Sequence, residues 1–344
     1  MSTRLEPQAA SPDTDLVELS YRDAINAALE HELQRDPRVL LIGEDVATAG
    51  GVFKTSEGLV EKFGSERILD TPICENGFLG AAIGMAVTGM RPVVEIMFSD
   101  FLPTAGDAIV NELPKFRFMT GGQCAVPVTV RAIGGATGRF GTQHSATGES
   151  WYIGLPGLKV ATVGTAASAY GVLRAAIRDS DPVLVYEHKG LYGRKGLVRL
   201  GEEGIAQIGR AEILRSGTDI TVLATLLMAD RASTAADRLG EEGISAEVVE
   251  LRWLRPLDLE AVSGSVARTG RLLVVEEQVH QGGWGATVIS ELIRHGVQMA
   301  RPHVLSLPDD LLIPYSPTLE DAIVPSVDAI ASRIRAALDA TGKM

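Results

Sequence analysis

Cysteine is nearly missing from this chain: Cys74 and Cys124 are the only two in 344 residues. Neither sits in a metal-ligand or redox spacing, which excludes a disulfide framework and a thiolate zinc site and points to two reduced thiols inside a cell. The six histidines show no ligand spacing either, so a histidine-built metal site is not expected. Basic charge is in deficit, with 32 Lys and Arg against 44 Asp and Glu and a net charge of −12. A nucleic-acid partner is therefore excluded, because a phosphate backbone needs a basic footprint. Long hydrophobic runs are lacking as well. The longest apolar stretch, Gly77 to Met90, is glycine-rich and falls short of the roughly 20 residues that span a bilayer, so it reads as a buried core helix and no membrane partner is expected. There is no Gly-x-x-x-x-Gly-Lys-Ser/Thr phosphate loop. Gly283-Trp284-Gly285-Ala286 follows a strand and opens a helix, yet the third glycine of a dinucleotide loop is missing. Gly148-Glu149-Ser150-Trp151-Tyr152 likewise wants the closing glycine of a nucleophile elbow. Residues 1–14 carry one arginine, two prolines and no apolar run. They read as a disordered tail rather than a secretory signal or mitochondrial presequence, and the compartment expected is the cytoplasm.

What is present is the balance of an ordered globular protein, 45% hydrophobic and 22% charged, at a length that favours two domains. Ser20 and Asp23 predict a capped amphipathic helix bearing Ile25, Ala28, Leu29 and Leu33 and ending before Pro37. Strands are expected at Val39–Ile42, Ile68–Asp70, Pro92–Phe98 and Val126–Ala132, with helices at Gly77–Thr88 and from about Pro103 to Arg117. The glycine-rich stretch Gly134–Gly141 reads as a long flexible loop, followed by a strand–helix–strand unit over residues 159–187. Past a glycine- and charge-rich stretch, a second alternating series runs from Asp219 to Arg294. Strands separated by helices at this spacing imply largely parallel sheets covered on both faces.

Two residues stand out chemically. Glu75 sits where the glycine-rich helix begins, and the macrodipole and free backbone donors there favour a carboxylate; by local sequence alone an ordinary helix-end acid is the commoner reading. His144 follows the glycine loop, and a loop histidine can pass a proton near neutral pH. Surface loop histidines are common, so spacing alone leaves both readings open.

Taken together, the segments Gly43-Glu44-Asp45-Val46, Arg67 to Gly77, Gly89 to Glu95, Phe116 to Gly122, Gln143-His144-Ser145, Pro156 to Val160 and Ala176 to Pro182 resemble, in order, the β subunits of thiamine-diphosphate-dependent 2-oxo acid dehydrogenases. That family includes the pyruvate, branched-chain and acetoin dehydrogenases. The resemblance implies an α/β chain of two three-layer αβα domains, a pyrimidine-binding domain over 15–195 and a transketolase C-terminal domain over 210–344, with 196–209 as linker. It places Glu75 on the aminopyrimidine ring of thiamine diphosphate, where a carboxylate on the ring nitrogen favours the imino tautomer that can accept a proton. It places Met97 and Phe101 around the same ring, and His144 near the reacting carbon during decarboxylation and acyl transfer to lipoamide. Val128, Ala176, Ile177, Asp179 and Asp181 match a structural monovalent-cation (K+) site of some members.

The Gly-Asp-Gly motif by which the family's α subunit holds Mg2+ and the diphosphate is missing here. The resemblance therefore implies an α partner in an α2β2 heterotetramer, and a lipoyl acyltransferase as acceptor. Two positions depart from the family: Ala146 stands for a common Gln, and Gly154 for a second His before Pro-Gly. They bear on the substrate, pyruvate or a related 2-oxo acid or acetoin, and the altered loop keeps a transketolase-like carboligase half as an alternative; a non-catalytic assembly subunit is the other, against which the intact Glu75 stands.

Overall fold

The computed structural model describes residues 16–339, so the tail expected over 1–14 lies outside the described residues. In chain order the strands are β1 (Leu16–Ser20), β2 (Val39–Gly43), β3 (Ile68–Asp70), β4 (Arg91–Ile96), β5 (Thr129–Gly134), β6 (Lys159–Thr162), β7 (Val183–His188), β8 (Lys195–Arg199), β9 (Glu212–Arg215), β10 (Ile220–Ala224), β11 (Ala246–Glu250), β12 (Trp253–Arg255), β13 (Leu272–Val279) and β14 (His303–Leu307). The helices between and after them are α1 (Tyr21–Arg35), α2 (Leu59–Phe63), α3 (Glu75–Val87), α4 (Phe116–Met119), α5 (Ala166–Arg178), α6 (Leu226–Glu241), α7 (Leu259–Thr269), α8 (Trp284–Arg294), α9 (Pro317–Ile323) and α10 (Val327–Asp339).

Local chemistry explains the helix starts. The Ser20 hydroxyl accepts from the Asp23 amide at 3.1 Å, and Thr165 with Ser168 forms a reciprocal capping box at the head of α5. The long helix expected from Pro103 to Arg117 is instead broken. A tight turn over Ser99–Ala105, a wide turn over Ala108–Glu112 and the short α4 replace it. Pro103 and Pro114 lack the amide a continuous helix needs, and Gly106 weakens what lies between.

The first sheet runs β12-β6-β7-β5-β4-β2-β3, and the second β14-β13-β10-β11-β9. All neighbours pair in parallel except β12 on β6 and β9 on β11. Their central strands are buried on both faces, as parallel sheets between helix layers require. Inside the stretch read as linker, β8 pairs antiparallel with β1. Strand β12, from the second half of the chain, closes the edge of the first sheet, so the halves share a hydrogen-bonded seam. Register then positions the site. Gly43 lies beside both Asp70 and Glu95, and Gly134 beside His188. The segments leaving β2, β3, β4, β5 and β7 therefore emerge at the same, carboxyl-terminal edge of the sheet, where ligands of open α/β folds bind.

Candidate active site

Glu75 is the first residue of α3, reached from β3 through Thr71-Pro72-Ile73-Cys74, and is only 8% exposed. No hydrogen bond from the described residues reaches its carboxylate. Leaving β2 on the same edge, Glu44 is equally buried and its Oε1 has no partner. Burial, then the charge of Glu75, then that of Asp45 push the Glu44 carboxyl above its usual range. Glu44 thus holds a buried oxygen with spare acceptor capacity, which costs free energy unless a donor completes it, and Glu75 stands beside it with no donor among the described residues. Sequence reasoning passed over Glu44, although its place directly after a strand of this edge was a usable signal.

The opposite wall is apolar. Met97 is half-buried just past β4, and Phe101 follows in the turn Ser99–Ala105. The Phe98 and Phe101 rings meet edge-to-face at 5.9 Å, and the His144 imidazole stands edge-on to both, at 4.7 Å and 5.4 Å. The turn 99–105 packs against α3 and against Thr142–His144, so it joins the Glu75 helix to His144. The adjoining backbone is tied down. The Ala146 carbonyl accepts from Ser99 Oγ at 2.6 Å and from the Gly135 amide at 3.2 Å, and the Ala146 amide donates to Asp100 Oδ1 at 3.3 Å. Burial raises the Asp100 carboxyl against the opposing pull of the Ala146 amide and of Lys189.

The glycine loop read as flexible is fastened to the second half of the chain. Ala136 and Thr137 donate backbone amides to Glu277 and Glu320 at 2.5 and 2.6 Å, while Arg139 pairs with Glu320 and Asp321 at 2.5 and 2.8 Å. Phe98, Asp100 and the anchoring acids Glu277 and Glu320 were invisible in local sequence, since each acquires its role from a distant strand or helix.

The five cation candidates lie at the opposite edge of the sheet. Val128 and Ala176 carbonyls accept from the Val183 and Asp179 amides, and Arg91 donates to the carbonyls of Ile177 (3.0 Å) and Asp179 (2.5 Å). Lys159 pairs with the carboxylates of Asp179 and Asp181 at 2.9 and 3.2 Å, and Arg117 also pairs with Asp181. Burial works against ionising Asp181, but the Arg117 and Lys159 hydrogen bonds outweigh it and hold the carboxyl below its usual range. The protein's own cations thus already meet much of this oxygen set. At the Gly283-Trp284-Gly285 loop the start of α8 is also taken: Glu276 accepts from the Gly285 amide at 3.0 Å, where a dinucleotide phosphate would have to sit.

Two family models match, the transketolase pyrimidine-binding domain over residues 17–195 and the transketolase C-terminal domain over 209–330. The β-2 subunit of the mitochondrial pyruvate dehydrogenase E1 component of Oryza sativa is 42% identical over 317 residues, spanning 91% of this chain and 84% of the relative. The β subunit of the acetoin:2,6-dichlorophenolindophenol oxidoreductase of Cupriavidus necator is 42% identical over 340 residues, 92% of this chain and 96% of the relative. The 2-oxoisovalerate dehydrogenase β subunit of Bacillus subtilis is 39% identical, covering 92% and 98%. A solved split-gene transketolase shares the fold at TM-score 0.74 and 23% identity, over 93% of this chain and 98% of its own. With these matches running nearly end to end, the chain belongs to the β-subunit family of the thiamine-diphosphate-dependent 2-oxo acid dehydrogenases.

Proposed function

We propose that this chain forms the pyrimidine-side wall of an active site that cleaves pyruvate, a related short 2-oxo acid or acetoin and passes the acyl group to a lipoyl-protein. The observation that carries the reading is Glu75, buried beside Glu44 with no donor among the described residues, on a helix packed against the turn that bears Phe101 and meets His144. Those residues suit thiamine diphosphate: a carboxylate to receive a ring-nitrogen proton, apolar side chains for the ring faces, and a histidine able to exchange a proton with substrate. When bound, the cofactor supplies the electron sink for carbon–carbon cleavage. Glu75 would hold and polarise its ring, the aromatic side chains would keep water from it, and His144 would move a proton at its imidazole.

The Mg2+ and diphosphate end falls to an α subunit in an α2β2 assembly. What supports this is the sequence, which carries no Gly-Asp-Gly motif. Beside Glu75, Ile73 is 82% exposed, and Gly80 and Gly84 face open space where a second helix could pack closely. The lipoyl acyltransferase is the remaining partner. A cytoplasmic setting agrees with two unpaired thiols and with no described helix long and apolar enough to cross a membrane.

The test is turnover of the chain reconstituted with its α subunit, 2-oxo acid and lipoyl-protein. Glu75→Gln should lower kcat by about a hundredfold or more while the assembly stays intact. Full turnover by that variant would overturn the reading, and ketol transfer to an aldose in place of lipoyl acylation would replace it with the carboligase.

A further inference from the structure

Lys189 is buried, at 9% exposure, yet among the described residues no carboxylate lies within ion-pair distance of its ammonium. It donates instead to two backbone carbonyls, Gly135 and His144, which are the two ends of the loop bearing the histidine. The Phe140 and Phe98 rings flank it at 5.4 and 5.9 Å, and Phe98 is the ring against which the His144 imidazole stands. Hiding an ammonium is costly, and two neutral carbonyls recover less of that cost than a carboxylate would.

The near end of the loop is held for the same contact. Gly135 has φ +91°, and a Cβ there would lie 1.9 Å from His188 Nε2, so only glycine brings this carbonyl to Lys189. His188 Nδ1 accepts from the Gly190 amide at 3.0 Å, which leaves Nε2 to donate to Glu277 Oε2 at 3.1 Å, and Glu277 in turn accepts from Ala136.

We propose that Lys189 is a positioning residue for the reaction: its ammonium clasps both ends of loop 135–144 and so fixes where the His144 imidazole stands. The inference rests on the reading of His144 as a group beside the reacting centre. The clasp responds to pH. Burial pulls Lys189 down to about 8, against the opposing charges of Glu277 on β13, Asp100 in the turn 99–105 and Glu320 on α9. The elements around it also carry the imidazoles of His188 and His144, the guanidinium of Arg139 with its partner Asp321, Glu276 on β13, and Asp230 and Arg231 on α6. Loss of the proton leaves an amine whose hydrogen bonds to the two carbonyls are weaker, and the loop end loosens.

The experiment uses the assembled enzyme with cofactor, comparing wild type with Lys189→Met, Lys189→Arg and His144→Ala. It measures kcat and KM against pH, and amide hydrogen exchange over residues 135–146. Wild-type kcat should fall on an alkaline limb near pH 8. Lys189→Met should lower kcat about tenfold at neutral pH with KM little changed, and the loop amides should exchange faster. Lys189→Arg should restore most of kcat and push the alkaline limb to higher pH. If Lys189→Met keeps wild-type turnover, pH profile and exchange while His144→Ala is impaired, the clasp is wrong and the His144 reading stands. If His144→Ala is fully active, the underlying reading fails, and loop exchange in the Lys189 variants still decides whether the clasp exists. Should the methionine variant not fold, the alkaline limb of the arginine variant decides the matter: an unmoved limb overturns the proposal.

Discussion

At the scale of single residues, the buried charges divide into paired and unpaired ones, with opposite consequences. Arg131 is fully buried on β5, donating to both oxygens of Glu187 at 2.6 and 2.9 Å, to Glu95, and to Thr55 at 3.2 Å. Arg131→Met strands two buried carboxylates and should cost about 3–5 kcal/mol, read as a shift of the urea midpoint. Glu250 is the contrary case. Burial lifts its carboxyl to about 7 although the Gly164 amide donates to it at 2.6 Å. Because this folded-state value exceeds the ordinary one near 4.5, the native protein holds a proton that the unfolded chain releases. Its contribution to stability is full below about pH 4.5, declines as pH rises toward 7 and stays lost above. Glu250→Gln should leave Tm at pH 5 unchanged and raise it at pH 8; a variant with an unaltered pH profile would refute the assignment. None of this was legible locally. Arg131 is a lone charge in an apolar strand, and Glu250 one acid among many, until strands from elsewhere cover them. Glu75 and His144 could be picked out because a helix start and a glycine loop advertise themselves within a few residues.

At the scale of elements, sequence reading succeeded where the determinant is local. The α1 and α5 starts follow from hydroxyl caps, and the central strands from runs of Val, Leu and Ile. It failed at the edges. Lys195-Gly196-Leu197-Val198-Arg199 has no strand signature of its own and becomes β8 through pairing with β1, nearly 180 positions earlier. The three-residue β12 exists only because β6 offers it an edge. One local device does enforce a distant contact: Gly157, just before β6, has φ +91°, and a Cβ there would fall 2.0 Å from the Pro114 carbonyl oxygen. Gly157→Ala should therefore destabilise by on the order of 2–3 kcal/mol, seen as a lowered Tm, because both the backbone angle and the approach must yield. The α5 end yields a further expectation. Arg91 and Lys159 already neutralise the oxygens of Ile177, Asp179 and Asp181. Replacing potassium by choline at constant ionic strength should leave Tm unmoved, whereas a potassium-specific rise would show that the second lone pairs of these carbonyls bind the ion.

At the scale of the whole molecule, the ordered set of segments carried the family, while charge and exposure together bear on the proposal that a second chain completes the site. The edge around Glu75 presents carboxylates and aromatic rings, and the chain as a whole carries a net charge of −12, so a diphosphate approaching it alone meets repulsion. Next to Glu75, Ile73 and Cys74 are exposed. Cys74 therefore supplies a reporter for the proposed α subunit. In the isolated chain a maleimide should label it rapidly, and titration calorimetry with thiamine diphosphate and Mg2+ should register no tight binding. On the proposed function, addition of the α subunit should protect Cys74 and bring cofactor affinity with it, if the wall proposed to grip the diphosphate also covers residues 73–75. A Cys124→Ser background keeps the readout to one thiol, since Cys124 is itself partly accessible. If Cys74 stays fully reactive in an assembly that turns over substrate, the partner closes the cleft from another side, and Glu75 cannot be the meeting point of the two chains.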